Sequence, residues 1–270
     1  MILPTACSLN DPEPIPLTPN DVAVVLNFSS YAMEPMTKTP TAISELSSRL
    51  DVYIVSENDV MAFHQTKSDD VDFGTVYTIL DKTQTYTLYA VAHKGSGPAS
   101  LEGDIISFQD NKITETFFCG RTFCPGDLST VECNMNRIVG QFRFVIQDEF
   151  PEDVTKLRFT FHDTGLGFHV NGYTTNIGDK VSVINNPSHA NDGSTTCKIY
   201  CLADSETTTI DVTVEALDAD DDVVESRDFA DVPIKAGYVT SFTGTFFVTT
   251  ALSFNFFSGD SWEDYISMEF

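Results

Sequence analysis

The period-two alternation of apolar and polar residues is the feature that most constrains the fold of this chain. It begins with the run Val22–Phe28 and returns in Leu50–Val55, Tyr86–Ala92 and Thr208–Ala216. Side chains on a β-strand point to opposite faces in turn, so such runs predict strands with one buried face. No stretch shows the 3.6-residue period of a helix of three turns. The pattern therefore predicts an all-β sandwich protein.

The length of the chain sets the expected number of domains. With 270 residues it exceeds the usual size of one domain, so two domains are expected. The weakest join between strand runs is Cys124–Thr130, which places the boundary near residue 132. We expect a lipoprotein-signal remnant and Pro-rich tether over 1–20, an N-terminal β-sandwich over 21–132, and a C-terminal β-sandwich with a strand-like tail over 133–270.

The charge of the chain excludes two classes of partner. Asp and Glu number 40 against 15 Lys and Arg, which gives a net charge of -25. A nucleic-acid binder needs a cationic face that neutralises phosphates, and the same face is needed to dock on anionic lipid. No run reaches the length of a spanning helix, about 18 apolar residues. We therefore expect an acidic protein that binds no nucleic acid and reaches a membrane, if at all, through a covalent tether.

The cysteines occupy two clusters and one isolated position: Cys119, Cys124 and Cys133; Cys197 and Cys201; and Cys7. Cys197 and Cys201 share one face of a predicted strand about 13 Å apart, at about 3.3 Å per residue, which is too far for a disulfide. Neither cluster has the two-residue spacing of most zinc knuckles. We interpret the clustered cysteines as buried free thiols, with zinc as the minor alternative.

Cys7 has a different context from the other cysteines. It follows the apolar stub Met1–Ala6 and precedes an acidic, Pro-rich run, which resembles the end of a bacterial lipoprotein signal with an acylated thiol. Pro4 stands where Leu is usual, and the charged region and most of the apolar core of such a signal are missing. The alternative is a disordered N-terminus with a chance cysteine. We expect lipidation at Cys7 and an extended spacer over residues 8–20.

The sequence shows no convincing catalytic or metal motif. The acidic run Asp218–Asp222 could offer oxygen ligands to calcium, but it lacks a sharp-turn Gly and predicts a solvated hairpin tip. His162 and His169 flank Asp163–Gly167, which predicts a hairpin turn with structural histidines. There is no G-x-S-x-G elbow, G-x-G-x-x-G turn or P-loop. We therefore predict no enzyme, no catalytic residue, no metal site and no cofactor.

Several stretches, taken in their order and spacing, carry a family resemblance: Leu50–Val55 with Tyr86–His93, Asn136–Asp148 with Phe150–Phe159, and Val232–Gly244. Over roughly residues 20–265 the chain resembles the fimbrial anchor and minor-subunit family of Bacteroides-type bacteria, of the FimB type within the fimbrillin superfamily. The resemblance implies two transthyretin-like, Greek-key β-sandwich domains on a lipid tether. It also implies a surface-exposed protein of the outer membrane that anchors an adhesive fimbrium or caps its assembly.

The same resemblance implies assembly by strand exchange, in which a terminal strand of one subunit completes the sheet of another. The candidate segments are Val22–Phe28 and Ala251–Phe257. The second places Leu252, Phe254 and Phe256 on one face, as a donated strand requires, and its alternative reading is an ordinary last strand.

These expectations combine into a non-enzymatic, lipid-anchored protein of the outer membrane and fimbrium whose partners are fimbrial subunits. Its membrane contact is expected only through the N-terminal lipid. The alternative is a surface glycan-binding lipoprotein. A third possibility, an extracellular hydrolase, requires two carboxylates that converge in a cleft with shifted pKa values.

Overall fold

The computed structural model describes residues 18–31, 40–126, 130–190, 193–247 and 253–257. Regular structure in these residues is almost entirely β, and the predicted all-β sandwich fold is confirmed. The only helical pieces in this part of the chain are α1 Ile43–Leu46 and a single 3-10 turn at Gln109–Asn111. The strands are β1 Asp21–Tyr31, β2 Pro40–Ala42, β3 Arg49–Val55, β4 Val60–Thr66, β5 Thr75–Asp81, β6 Tyr86–His93, β7 Ser100–Glu102, β8 Ile105–Ser107, β9 Phe117–Phe123, β10 Thr130–Arg137, β11 Val139–Ile146, β12 Lys156–His169, β13 Tyr173–Asn185, β14 Thr195–Leu202, β15 Thr208–Leu217, β16 Val223–Ile234, β17 Val239–Gly244 and β18 Ser253–Phe257.

The first sandwich is one folded sheet with the strand order β2-β1-β10-β9-β6-β3-β4, and β5 also pairs with β1. β10 pairs in parallel with β1 over its first part and antiparallel with β9 at Asn136 and Arg137. The sheet therefore folds over at β10, and its two halves enclose one core. Alternate residues of each strand fill this core, for example Val24, Leu26 and Phe28 of β1, because the pleat turns them to the same face.

The second sandwich packs two separate sheets against each other. A sheet of order β14-β11-β17-β18 faces a sheet of order β16-β15-β12-β8-β7, in which β13 pairs with the other side of β12. Phenylalanine rings fill the space between them: Phe142 of β11 lies edge-to-face with Phe161 of β12 at 5.4 Å, and it is tilted against Phe242 of β17 at 5.2 Å. Such ring pairs stabilise a core by about 0.5–1.5 kcal/mol each beyond the burial of their surface.

The two sandwiches are joined closely. Only Ile138 lies between β10 and β11, and it is buried in a third apolar cluster together with Val91, Phe118 and Phe168. The residue at the predicted boundary, 132, lies inside β10. The hairpin of β7 and β8 leaves the first sandwich and joins the second sheet through the pairing of β8 with β12. Residues 100–107 therefore belong by structure to the C-terminal sandwich.

The hairpin turn predicted at Asp163–Gly167 is wrong. These residues lie inside β12, which continues to His169, and the pairing with β13 shifts register between Phe161 and Thr164. Asp163 adopts a φ of 51°, so the short polar residue permits a β-bulge where the sequence suggested a reversal. The hairpin tip predicted for the acidic run is confirmed, because residues 218–222 connect β15 to β16 and the Asp218 N–H donates to the Asp222 carbonyl.

Candidate subunit-contact surface

Another chain can add a strand only at the edge of a sheet, because backbone N–H and C=O groups are unpaired only there. In the described residues the longer edge strands are β4 and β5 in the first sandwich and β13, β14, β16 and β18 in the second. β1 is not among them, since it pairs with β10 on one side and with β5 and β2 on the other. The candidate segment Val22–Phe28 thus lies in an interior strand.

β13 differs from the other edges in the apolar side chains that it exposes. Nine large hydrophobic side chains are exposed among the described residues, and four of them lie on this strand. These four form what we call the β13 stripe: Tyr173, Ile177, Val181 and Val183, with exposed fractions of 46%, 61%, 55% and 48%. All four are odd-numbered and so share the outer face of the sheet. Exposed apolar side chains in a row beside unpaired backbone are typical of an interaction site.

The other long edge of this sheet, β16, is built to resist pairing. Its register with β15 shifts twice, and Asp231 has a φ of 53°. Glu225 and Asp228 add carboxylates along the strand. Bulges and charged side chains are the means by which edge strands avoid other chains. β13 also contains a non-glycine residue with positive φ, Asn176, so within the described part of this sheet it is the row of exposed apolar side chains that singles out β13 as the edge open to a partner.

Polar groups lie beside the β13 stripe on the same outer face. The Asp179 carboxyl group is 56% exposed and contacts the His162 ring and the Asp163 backbone N–H, at 3.3 and 3.2 Å. The other nitrogen of His162 hydrogen bonds to Thr213 at 3.1 Å. Asp179 therefore sits between Ile177 and Val181 as an accessible negative charge.

The inner face of β13 holds a buried lysine. Lys180 is only 4% exposed, and its ammonium group lies 5.1 Å from the centre of the Phe161 ring and donates to the Ser182 hydroxyl at 2.9 Å. Burial lowers the pKa of Lys180, because the charged form loses its hydration. Since this ammonium group points into the sandwich, it leaves the outer face of β13 free for apolar contacts.

A second polar cluster lies in the first sandwich and was not found from the sequence. Asp51 is fully buried, and its carboxylate accepts hydrogen bonds from His64 Nδ1 at 2.7 Å, His93 Nε2 at 3.0 Å and the Ala99 N–H at 2.9 Å. The Gly95 N–H donates to His93 Nδ1, so the ring proton of His93 lies on Nε2. The cluster ties β3, β4 and β6 to the segment that crosses to the second sandwich. The alternating pattern did not predict this cluster, because the pattern places Asp51 on the polar, solvent-facing side of its strand.

The side chains of Tyr53 and His93 are also affected by the burial of this cluster. Desolvation, together with the charge of Asp51, raises the pKa of Tyr53 to about 12, and the Tyr53 hydroxyl donates to the Ala99 carbonyl. His93 is 1% exposed, with its ring edge-to-face against Phe108 at 5.6 Å. These contacts describe a satisfied structural network, in which each polar atom of Asp51 and His93 is used within the fold.

Only some of the residues predicted for lipidation and strand exchange lie in the part of the chain that the structure describes. Cys7 and Leu252 lie outside the described residues. Phe254 and Phe256 lie in β18, where they pair with Phe242 and Thr240 of β17. β18 is the edge strand of its sheet, paired through β17 alone in this part of the structure.

The clustered cysteines within the described residues are free thiols, and all but Cys124 are buried. Burial raises the pKa of Cys197 to about 12 and that of Cys201 to about 11. Three or more His, Cys, Asp or Glu side chains do not converge on a metal site anywhere in the described residues. Nor does this part of the chain contain a helix long and apolar enough to span a membrane.

The fold defines a class of all-β protein built from two closely joined sandwiches, and a family model assigns the chain within it. The model of the family of unknown function DUF6562 matches residues 111–262, more than half of the chain, and the chain belongs to this family. No curated protein is significantly similar to the sequence.

Solved structures from Bacteroides share the fold. A candidate adhesin from Bacteroides ovatus has a TM-score of 0.55 and 12% identity over 91% of this chain and 96% of its own. A candidate adhesin from Bacteroides thetaiotaomicron has a TM-score of 0.51 and 12% identity over 82% and 91%. A candidate polysaccharide-binding protein (DUF1812) from the same organism has a TM-score of 0.55 and 9% identity over 91% and 98%. At identities of 9–12%, these similarities show that the chains share a fold.

Proposed function

We propose that this chain is a non-enzymatic subunit of an adhesive fimbrium at the cell surface, as its anchor or a minor subunit, and that it binds its neighbour by β-strand addition. The observation that carries the proposal is the β13 stripe, which lies along a strand of thirteen residues that is paired on one side only within the described residues. The names of two proteins with the same fold, both candidate adhesins, support an adhesion-related role.

Strand addition at β13 specifies the chemistry of the incoming strand. Alternate residues of that strand face Ile177, Asp179, Val181 and Val183 on the outer surface of the sheet, because directly opposed residues share a face. Apolar or β-branched residues complement the three aliphatic positions. A Lys or Arg complements Asp179, and the net charge of -25 also favours a basic partner.

The energy available from this contact is moderate. Each side chain of the β13 stripe is about half exposed, so covering it contributes on the order of 1 kcal/mol. Backbone hydrogen bonds along the edge add to this and fix the register. Together these contributions give a moderate binding energy, which is sufficient for a contact between subunits that are also held together elsewhere.

The two ends of the chain have separate roles, one in attachment to the membrane and the other in strand exchange. Lipid on Cys7 holds the protein to the outer membrane, with residues 8–20 as the spacer. The segment Ala251–Phe257 serves as the exchanged strand, and its supporting feature is that β18 lies at a sheet edge. Mass spectrometry of the protein from its native membrane, with Cys7→Ala for comparison, tests the lipid: an unmodified Cys7 in the soluble fraction would remove the tether.

Site-specific photo-crosslinking tests the strand contact. A benzophenone amino acid at Val181 is expected to crosslink to an extended segment of a fimbrial subunit, with a basic residue near the adduct. The matched control is the same probe at Val60 on β4, which is also exposed, at 55%. Equal crosslinking from the two positions, or adducts only to unrelated proteins, would contradict addition at β13.

A charge substitution gives a second measurement on the same contact. Val181→Lys with Val183→Lys is expected to abolish crosslinking from position 177 and leave the free energy of unfolding unchanged within about 0.5 kcal/mol, because both positions are exposed. Fimbrial attachment that survives this double substitution would place the subunit contact elsewhere.

A further inference from the structure

A cleft with a volume of about 450 Å³ lies where the two sandwiches meet. Strands β9 and β10 of the first sandwich form one wall. The other wall comes from the turn after β12 and the loops after β14 and β16. Ligand sites commonly lie at such junctions, in clefts of about 300–1,000 Å³.

The floor of the cleft is apolar and its rim is polar. Phe118 and Phe168 lie at the bottom with their rings edge-to-face at 5.3 Å, and Ile138 lies beside them. Gly120 lies beside Phe118: a Cβ atom there would come within 3.2 Å of the ring, so a side chain at this position would crowd the cleft. The rim carries exposed, uncharged hydrogen-bonding side chains: Asn134, Asn136, Asn171 and Ser205.

The charge of the cleft is unusual for this chain. Although the sequence has 40 Asp and Glu residues, the described residues that line the cleft include none. The only charged residue among them, Arg137, donates twice to Glu115, at 3.2 and 2.7 Å. A cation finds no carboxylate here, and the net charge of -25 repels anions. The cleft is therefore suited to a neutral ligand.

The rim groups also define the shape of that ligand. Asn136 lies on β10, Asn171 in the turn after β12 and Ser205 in the loop after β14, so three different segments bring polar groups to the cleft. Amides and a hydroxyl both donate and accept hydrogen bonds. A compact ligand with many hydroxyl groups and one apolar face fits this arrangement better than an extended peptide. We propose that the cleft binds a neutral saccharide.

The site is formed before any ligand arrives. Ile138 is the single residue between β10 and β11, and the β7–β8 hairpin pairs with β12, so both walls are held by short connections. A preformed cleft avoids the entropic cost of ordering its walls on binding. The cleft shares no lining residue with the β13 stripe, although Tyr173 of the stripe follows Gly172 of the cleft, and the proposal does not depend on strand addition.

Isothermal titration calorimetry with the full chain tests the proposal. The probes are maltotriose, mannotriose and chitotriose, with trigalacturonate as the charged comparison and acetyl-trialanine-amide as the peptide comparison. At least one neutral trisaccharide is expected to bind with a Kd of about 1 mM or tighter. No binding by any of the three, or equal binding by the charged sugar or the peptide, would overturn the proposal.

Variants locate the binding. The double substitution Asn136→Ala and Asn171→Ala is expected to weaken binding about tenfold or more, because it removes hydrogen bonds from two sides of the rim. Both side chains are exposed, so the urea midpoint should not change. Asn58→Ala, an exposed asparagine in the turn after β3, is the matched control. Binding that the double variant leaves intact would place the sugar elsewhere and refute the site; binding by Val181→Lys is expected to equal wild type.

Discussion

Replacing Asp51 by Asn should destabilise the protein by disturbing the buried hydrogen-bond network of the first sandwich. The carboxylate of Asp51 accepts from three donors, His64 Nδ1, His93 Nε2 and the Ala99 N–H. In an amide of the same size the oxygen can keep the two donors that bond Oδ2, but the NH2 group then faces His64 Nδ1, so that ring must carry its proton on Nε2 or lose this hydrogen bond. Leaving a buried hydrogen-bonding group without its partner costs about 1–3 kcal/mol.

Urea unfolding followed by far-ultraviolet circular dichroism measures this cost. Glu57→Gln, an exposed acid in the turn after β3, is the control and should change the free energy of unfolding by less than about 0.5 kcal/mol. Hydrogen exchange should also show faster exchange at the Ala99 amide, because a neutral amide oxygen is a weaker acceptor than a carboxylate. A cost below about 1 kcal/mol for Asp51→Asn would refute the view that this network fastens the crossover segment to the first sandwich.

Two further predictions concern buried ionisable groups. Because burial lowers the pKa of Lys180 below 10.5, the unfolded chain binds more protons between these two values, and the free energy of unfolding should rise with pH in that window. Lys180→Met should abolish this rise and be about 1 kcal/mol more stable near neutral pH, measured by urea unfolding at several pH values; an unchanged slope would contradict it. Native-state alkylation with iodoacetamide should label the exposed Cys124 before Cys197 and Cys201, whose pKa values burial raises to about 12 and about 11. Peptide mapping by mass spectrometry checks this order, and equal labelling would mean that the C-terminal core opens readily.

The strands predicted from local alternation are correct where the apolar residues of the pattern are buried. Leu50–Val55 and Tyr86–Ala92 form strands as predicted, and the acidic run between two strands is a hairpin tip. The turn predicted at Asp163–Gly167 failed because glycines and an aspartate permit a bulge as readily as a reversal. Only the partner strand distinguishes the two, and here β13 continues alongside β12 on both sides of the bulge.

The candidate surfaces depended on long-range pairing. Nothing local distinguishes Val181 on an open edge from Val212 in a core, since both lie in alternating runs. Likewise His93 ends a strand followed by a glycine-rich turn, and only the approach of Asp51 from β3 explains its burial. The β13 stripe was missed for this reason.

By itself, the sequence determined the class of fold, because the side-chain period of two is a local property of the backbone. It also determined the acidity from which we predict that nucleic acid is not a partner, because charge is a sum over residues. The tertiary structure alone decided which strands became edges, that Asp51 was buried, and that Asn136 and Asn171 line one cleft whose described residues include no carboxylate. These features depend on contacts between residues far apart in the chain, and those contacts are set by how whole sheets pack.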